Sequence, residues 1–82
     1  MNKELLNAYH HTVNFFAAMY GDDFSAYVAD MIENPDFLLE DVRQTAARYG
    51  CTRVRSSFNE ECVYLFETAE RSLSALIAAE NN

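Results

Sequence analysis

The stretch "QTAARYGCTRVRSSF", Gln44 to Phe58, decides how the chain is to be folded. It holds three of the six basic residues of an acidic protein and no acid. Upstream, an apolar pattern of helical period runs into Gly50. Downstream, a second such pattern runs nearly to the end of the chain. Three readings of the link compete. Ser57-Phe58-Asn59-Glu60 fits a capping box, in which hydroxyl and carboxylate each satisfy an orphan backbone N–H, so the last helix would start at Phe58. Cys51 and Val54 instead extend the apolar face backward in steps of three, four and four to Phe58 and Cys62. Thr52 would then be the cap of one helix of about 28 residues, roughly 42 Å long. The third reading makes "TRVRS" a strand paired with "CVYLF", since Val54 alternates with Arg53 and Arg55.

Working outward, the rest of the chain is helical in its spacing. Phe58, Cys62, Leu65, Phe66, Ala69, Leu73, Leu76 and Ile77 hold one face of the last helix. Before the stretch, Asn34 followed by Pro35 is a helix-start signal, because proline needs no partner for its missing N–H at the first helical position. A helix over about 35–49 turns Leu38, Leu39, Val42, Ala46 and Tyr49 inward and ends at Gly50. Asp22 or Asp23 suits the start of a helix over about 23–33, with Phe24, Tyr27, Val28, Met31 and Ile32 as its core face. The first helix, about 2–20, places Leu5, Tyr9, Val13, Phe16 and Tyr20 on one side, and Gly21 fits its C-terminal cap. The expected fold is all-α, a small four-helix bundle-like domain with helices at about 2–20, 23–33, 35–49 and 52/58–80, forming one unit over 1–82.

Composition agrees. The chain has 82 residues, half of them hydrophobic, with only two glycines and one proline. So few breakers favour long helices over many-turned β-structure. A chain of this size buries roughly 60–65 % of its unfolded surface, so the core is modest. The start "MNKELLNAYHH" has no continuous apolar run of the signal-peptide kind, and no run approaches membrane-spanning length. The expected setting is cytoplasmic, with no membrane partner and with Cys51 and Cys62 as free thiols.

Charge is segregated. The net value is −7. Asp22, Asp23, Asp30, Glu33, Asp36, Glu40 and Asp41 lie between Gly21 and Val42 with no base among them, whereas Arg43, Arg48, Arg53 and Arg55 follow with no acid. An overall acidic field opposes general nucleic-acid binding. The acids fall on outward helix faces, where ordinary solvation explains most such runs. Phe37 adds something, being an aromatic off the core stripe flanked by Asp36, Glu40 and Asp41, as in a binding hot spot. Phe15 and Met19 on the first helix, and Val63 and Tyr64 on the last, also fall off the main faces. A central helix in a bundle buries two sides, which would account for about half of these residues. The expected partner-binding set is Asp30, Glu33, Asp36, Phe37, Glu40, Asp41, Phe15 and Met19. The surplus apolar residues would equally serve a homodimer.

Part of the opening stretch resembles the helix-turn-helix family. Ala46 stands four before Gly50, Cys51 and Thr52 follow, and Val42 and Tyr49 take inward positions. That resemblance covers about eleven residues and implies a DNA-binding regulator, with Arg53 and Arg55 on or near the reading helix. In that family the second helix has apolar residues where this chain has Ser56 and Asn59. A helical hairpin uses the same cap, turn and cap. Arg48, Arg53 and Arg55 are thus a candidate anion or nucleic-acid site, or else partners for the protein's own carboxylates.

No catalytic, metal or cofactor set is expected. His10 and His11 point about 100° apart on a helix. On one continuous helix Cys51 and Cys62 would stand about 16 Å apart, too far for a disulfide. The sequence reading is therefore a non-enzymatic protein-binding domain that engages a basic partner through acidic and aromatic residues. Short, acidic, helical proteins occur among phage and bacterial inhibitors and adaptors, including anti-defence proteins that act on nucleic-acid-handling complexes, an analogy of class alone.

Overall fold

The computed structural model describes residues 2–81. Four helices follow one another: α1 (Lys3–Tyr20), α2 (Ser25–Met31), α3 (Pro35–Arg48) and α4 (Glu60–Glu80). There is no strand among the described residues, so the hairpin reading of 52–56 fails. Pairing of α1 with α4 is the most extensive contact, that of α3 with α4 comes next, and short α2 bridges α1 and α3. The molecule measures 37 × 25 × 18 Å.

Local chemistry sets the helix ends. At the start of α1, Asn2 Oδ1 accepts the Leu5 N–H at 2.6 Å. At its end Gly21 adopts φ 68° and its N–H reaches Ala17 O at 2.8 Å, the single-bond left-handed cap. Asp23 Oδ1 accepts the Ser25 N–H, so the acid expected at the start of α2 does bind the helix entrance, although the helix proper begins at Ser25. The chain reverses between α1 and α2 around an aromatic stack. Tyr20 and Phe24 lie 5.0 Å apart at 15°, and Phe16 packs on Phe24 at 5.6 Å.

α3 stops in a Schellman motif. Cys51 N–H bonds Ala46 O at 2.8 Å, Gly50 N–H bonds Ala47 O at 3.3 Å, and Gly50 takes φ 77°. This turn carries the Cys51 side chain into the core and leaves Tyr49 exposed, contrary to its expected inward position. The loop 49–59 then separates α3 from α4. Neither expected start of α4 forms. Asn59, not Ser57 or Thr52, occupies the cap position. Its side chain holds the loop instead: Oδ1 accepts the Ser56 N–H at 2.7 Å and the Ser56 hydroxyl at 3.0 Å, while Nδ2 donates to Gly50 O at 3.2 Å. With residues 52–59 off the helix, the backward apolar stripe comes apart. Val54 is 90 % exposed and Phe58 fully exposed.

The core joins all four helices and the loop: Phe15 and Phe16 from α1, Val28 from α2, Leu38 and Val42 from α3, Cys51, and Leu73 and Leu76 from α4. Removing this surface from water, at roughly 25 cal/mol per Å², is the main stabilising contribution. Phe15 is wholly buried, 5.6 Å from the Phe16 ring and 6.3 Å from Phe66, so its expected role in partner binding is overturned. It sits between α1 and α4, the burying of a second helix side that the bundle requires. Met19 is half-buried against the same core, which leaves only part of it available at the surface.

Candidate functional site: the acidic and aromatic face of α2 and α3

On α3, residues 36, 37, 40, 41 and 44 recur at steps of one, three, one and three and therefore share one side of the helix. Leu38, Leu39, Val42, Thr45 and Ala46 occupy the other side, which is buried. The outward side meets α2 at Tyr27. Together Tyr27, Phe37, Glu40, Asp41 and Gln44 line an open surface cavity of about 210 Å³.

Phe37 dominates this surface. It is 58 % exposed although it is a large apolar ring. Asp36 and Glu40 beside it are exposed, and Asp41 is half-buried. Asp36 also lies in the first turn of α3, where a carboxylate favours the positive end of the helix dipole. Asp30 on α2 and Glu33 in the turn after it are exposed as well, extending the negative surface. The face is ordered by two hydrogen bonds. The Tyr27 hydroxyl donates to Asp41 Oδ2, which pins α2 to α3. Gln44 Nε2 donates to Glu40 Oε1 at 3.2 Å. Burial, then the bond to Asp41 and its charge, pushes the Tyr27 hydroxyl up to about 12, so it stays a neutral donor at physiological pH.

The nearby cations do not neutralise this face. Arg43 Nε pairs with Glu70 Oε2 at 2.8 Å, toward α4. Arg48 Nη1 donates to the Tyr20 hydroxyl at 3.3 Å, and Tyr20 in turn bonds Thr45 Oγ1 at 3.0 Å. Among the described residues none of these acidic side chains forms an ion pair, which leaves them open to solvent or to a ligand. Chemically, such a surface can accept Lys or Arg side chains around an aromatic anchor. Among the described residues no group of three or more His, Cys, Asp or Glu is placed to hold a metal ion.

The three arginines expected to share an anion site do not share one. Arg55 pairs with Glu67. Arg48 serves Tyr20. Arg53 is exposed and has no hydrogen bond or ion pair among the described residues. Nor do they sit at a helix N-terminus, because α4 begins at Glu60 with Glu60 and Glu61 in its first turn. The same boundary separates the chain from the helix-turn-helix pattern. Thr52 caps nothing, and the position of a second helix is taken by loop 49–59.

No family model, no curated protein and no solved structure matches this chain.

Sequence reasoning missed Tyr27, which it assigned to the core of α2. Its ring touches Phe16 and Phe24 at 6.0 and 5.9 Å, as a core residue would, but its hydroxyl emerges at the acidic face. Tyrosine is amphipathic in this way, with an apolar body and a polar tip. The signal was the choice of Tyr over Phe, but its partner Asp41 stands on another helix and nothing local points to it.

Proposed function

We propose that this chain is a non-enzymatic protein-binding domain that uses the α2–α3 face to engage a basic surface on another protein. The observation that carries this reading is Phe37, an exposed aromatic ring beside carboxylates that form no ion pair among the described residues. Aromatic anchors supply binding energy once water is excluded around them, and charges at the rim steer encounter and select partners. A basic groove that ordinarily holds nucleic acid is the kind of surface this pattern complements. On that reading the protein is a small inhibitor or adaptor of a nucleic-acid-handling complex, of the sort found among phage and bacterial anti-defence proteins.

The test is quantitative. The full chain is used to capture a partner from lysate, and the identified partner is then titrated with the wild type, Phe37→Ala and the pair Asp36→Lys with Glu40→Lys. Loss of a hot-spot ring weakens binding by about thirtyfold, equivalent to roughly 2 kcal/mol. The double charge reversal slows association, and added salt weakens the wild type but barely changes the reversed protein. A partner that binds all three proteins equally, at low and at high salt, would refute the proposal.

A further inference from the structure

Cys51 enters the core from the Schellman turn that ends α3 and is 1 % exposed. Cys62 lies in the first turn of α4 and is half-buried. Loop 49–59 doubles back between them, and both cysteines come to lie beside Met19. This overturns the spacing expected for one continuous helix, since the break at 49–59 is what brings the sulfurs together. Met19 completes a sulfur cluster: the Cys51 thiol donates to Met19 Sδ at 3.6 Å. Met19 and Cys62 in turn line an open cavity of about 330 Å³, whose wall also includes Ala18, Phe58 and Leu65. One cysteine is thus reachable by a small molecule and the other waits behind it.

We propose that Cys51 and Cys62 form an oxidisable pair that closes to an intrachain disulfide, tying the start of loop 49–59 to the first turn of α4. The oxidant is a small-molecule disulfide. In the first step the Cys62 thiolate attacks one sulfur of that disulfide. A bond forms between Cys62 Sγ and that sulfur, the small disulfide's own S–S bond breaks, and one small thiolate leaves. In the second step Cys51 loses its proton and attacks Cys62 Sγ, expelling the other small thiolate. Two protein thiols are oxidised to one disulfide, and the small disulfide is reduced to two thiols that take up the two protons. The order follows from the surroundings. Burial pushes the Cys51 thiol up to about 12, so it is a poor first nucleophile and acts only once Cys62 holds the leaving group beside it. The consequence is a covalent hold on the segment that carries Arg53, Val54 and Phe58, the most exposed apolar and basic loop of the molecule.

The experiment equilibrates the full wild-type chain with oxidised glutathione, traps free thiols, and reads the products by intact mass and tryptic mapping. Trypsin cuts after Arg53 and Arg55, so a 51–62 disulfide joins two otherwise separate peptides. The expected product is a monomer lighter by two hydrogens with those peptides linked. Because the folded chain holds the thiols together, the ratio of intrachain to glutathione-mixed disulfide is about tenfold higher in buffer than in denaturing urea. Cys51→Ser and Cys51→Ala each stop at the mixed disulfide on Cys62. The proposal is overturned by a disulfide-linked dimer as the main product, by a wild type that stops at the mixed disulfide or does not react, or by a ratio no higher folded than unfolded. The wild-type comparison stands even if neither variant folds.

Discussion

Replacing Phe15 with Ala and Phe37 with Ala removes the same atoms from two rings on the same small protein, and the structure predicts opposite outcomes. Phe15 is 0 % exposed between α1 and α4, and its loss leaves a cavity that rigid neighbours such as Phe16 and Phe66 fill only in part. Buried Phe→Ala changes cost about 3–5 kcal/mol, the lost transfer energy plus the cavity. The whole domain is worth roughly 4–12 kcal/mol at typical values per residue, so this one change consumes about a quarter of its stability or more. Phe37 is already more than half in water, and its removal changes stability by no more than about 0.5 kcal/mol. Urea unfolding followed by helical circular dichroism reads both. With a slope of about 1 kcal/mol per molar urea, Phe15→Ala lowers the midpoint by about 3 M or abolishes the folded baseline, and Phe37→Ala moves it by less than about 0.5 M. Equal shifts for the two variants, or a Phe15→Ala cost under about 1 kcal/mol, would refute the assignment of one ring to the core and the other to the surface.

Three further outcomes are expected. Thr12 is fully buried and its hydroxyl has no hydrogen-bond partner among the described residues, so Thr12→Val raises stability by about 1 kcal/mol in the same urea assay, and a clear loss would contradict it. Gly21→Ala costs about 1 kcal/mol although an added Cβ meets nothing within 4 Å, because the cost lies in the φ of 68° alone; an unchanged thermal midpoint would show that the cap relaxes. The Tyr27 hydroxyl is raised in the folded state from 10.0 to about 12, so its contribution is complete below pH 10 and lost as pH climbs through about 12. Stability measured across that window falls more steeply for the wild type than for Tyr27→Phe, and parallel curves would remove the Tyr27–Asp41 bond as a cause.

The helices were legible because their signals are local. Asn34-Pro35 marks the start of α3, Gly21 and Gly50 mark two ends, and each supplies the backbone conformation its cap needs. Phe37 was legible as a surface ring for the same reason, since it breaks the apolar period of its own helix. The start of α4 was not. Val54 and Phe58 continue the helical period, but the Asn59 side chain binds Ser56 and Gly50 and holds that segment off the helix, a bond network no periodicity encodes. Phe15 and Val63 looked like surplus apolar residues because one helix taken alone has one core face, whereas α1 and α4 each meet more than one neighbour. Arg55 with Glu67, Tyr27 with Asp41, and Cys51 with Met19 are pairings made by the tertiary fold, and the first of them turned a candidate anion ligand into an internal ion pair.

The central claim is that the α2–α3 face is where a basic partner protein sits. A photo-crosslinking amino acid placed at position 37, and in a separate protein at exposed Asn14 on α1, tests it inside cells. Position 37 is predicted to yield a discrete adduct with one basic protein, suppressed by Asp36→Lys with Glu40→Lys, while position 14 yields none. Adducts that form equally from both positions, or that persist after the charge reversal, would contradict it.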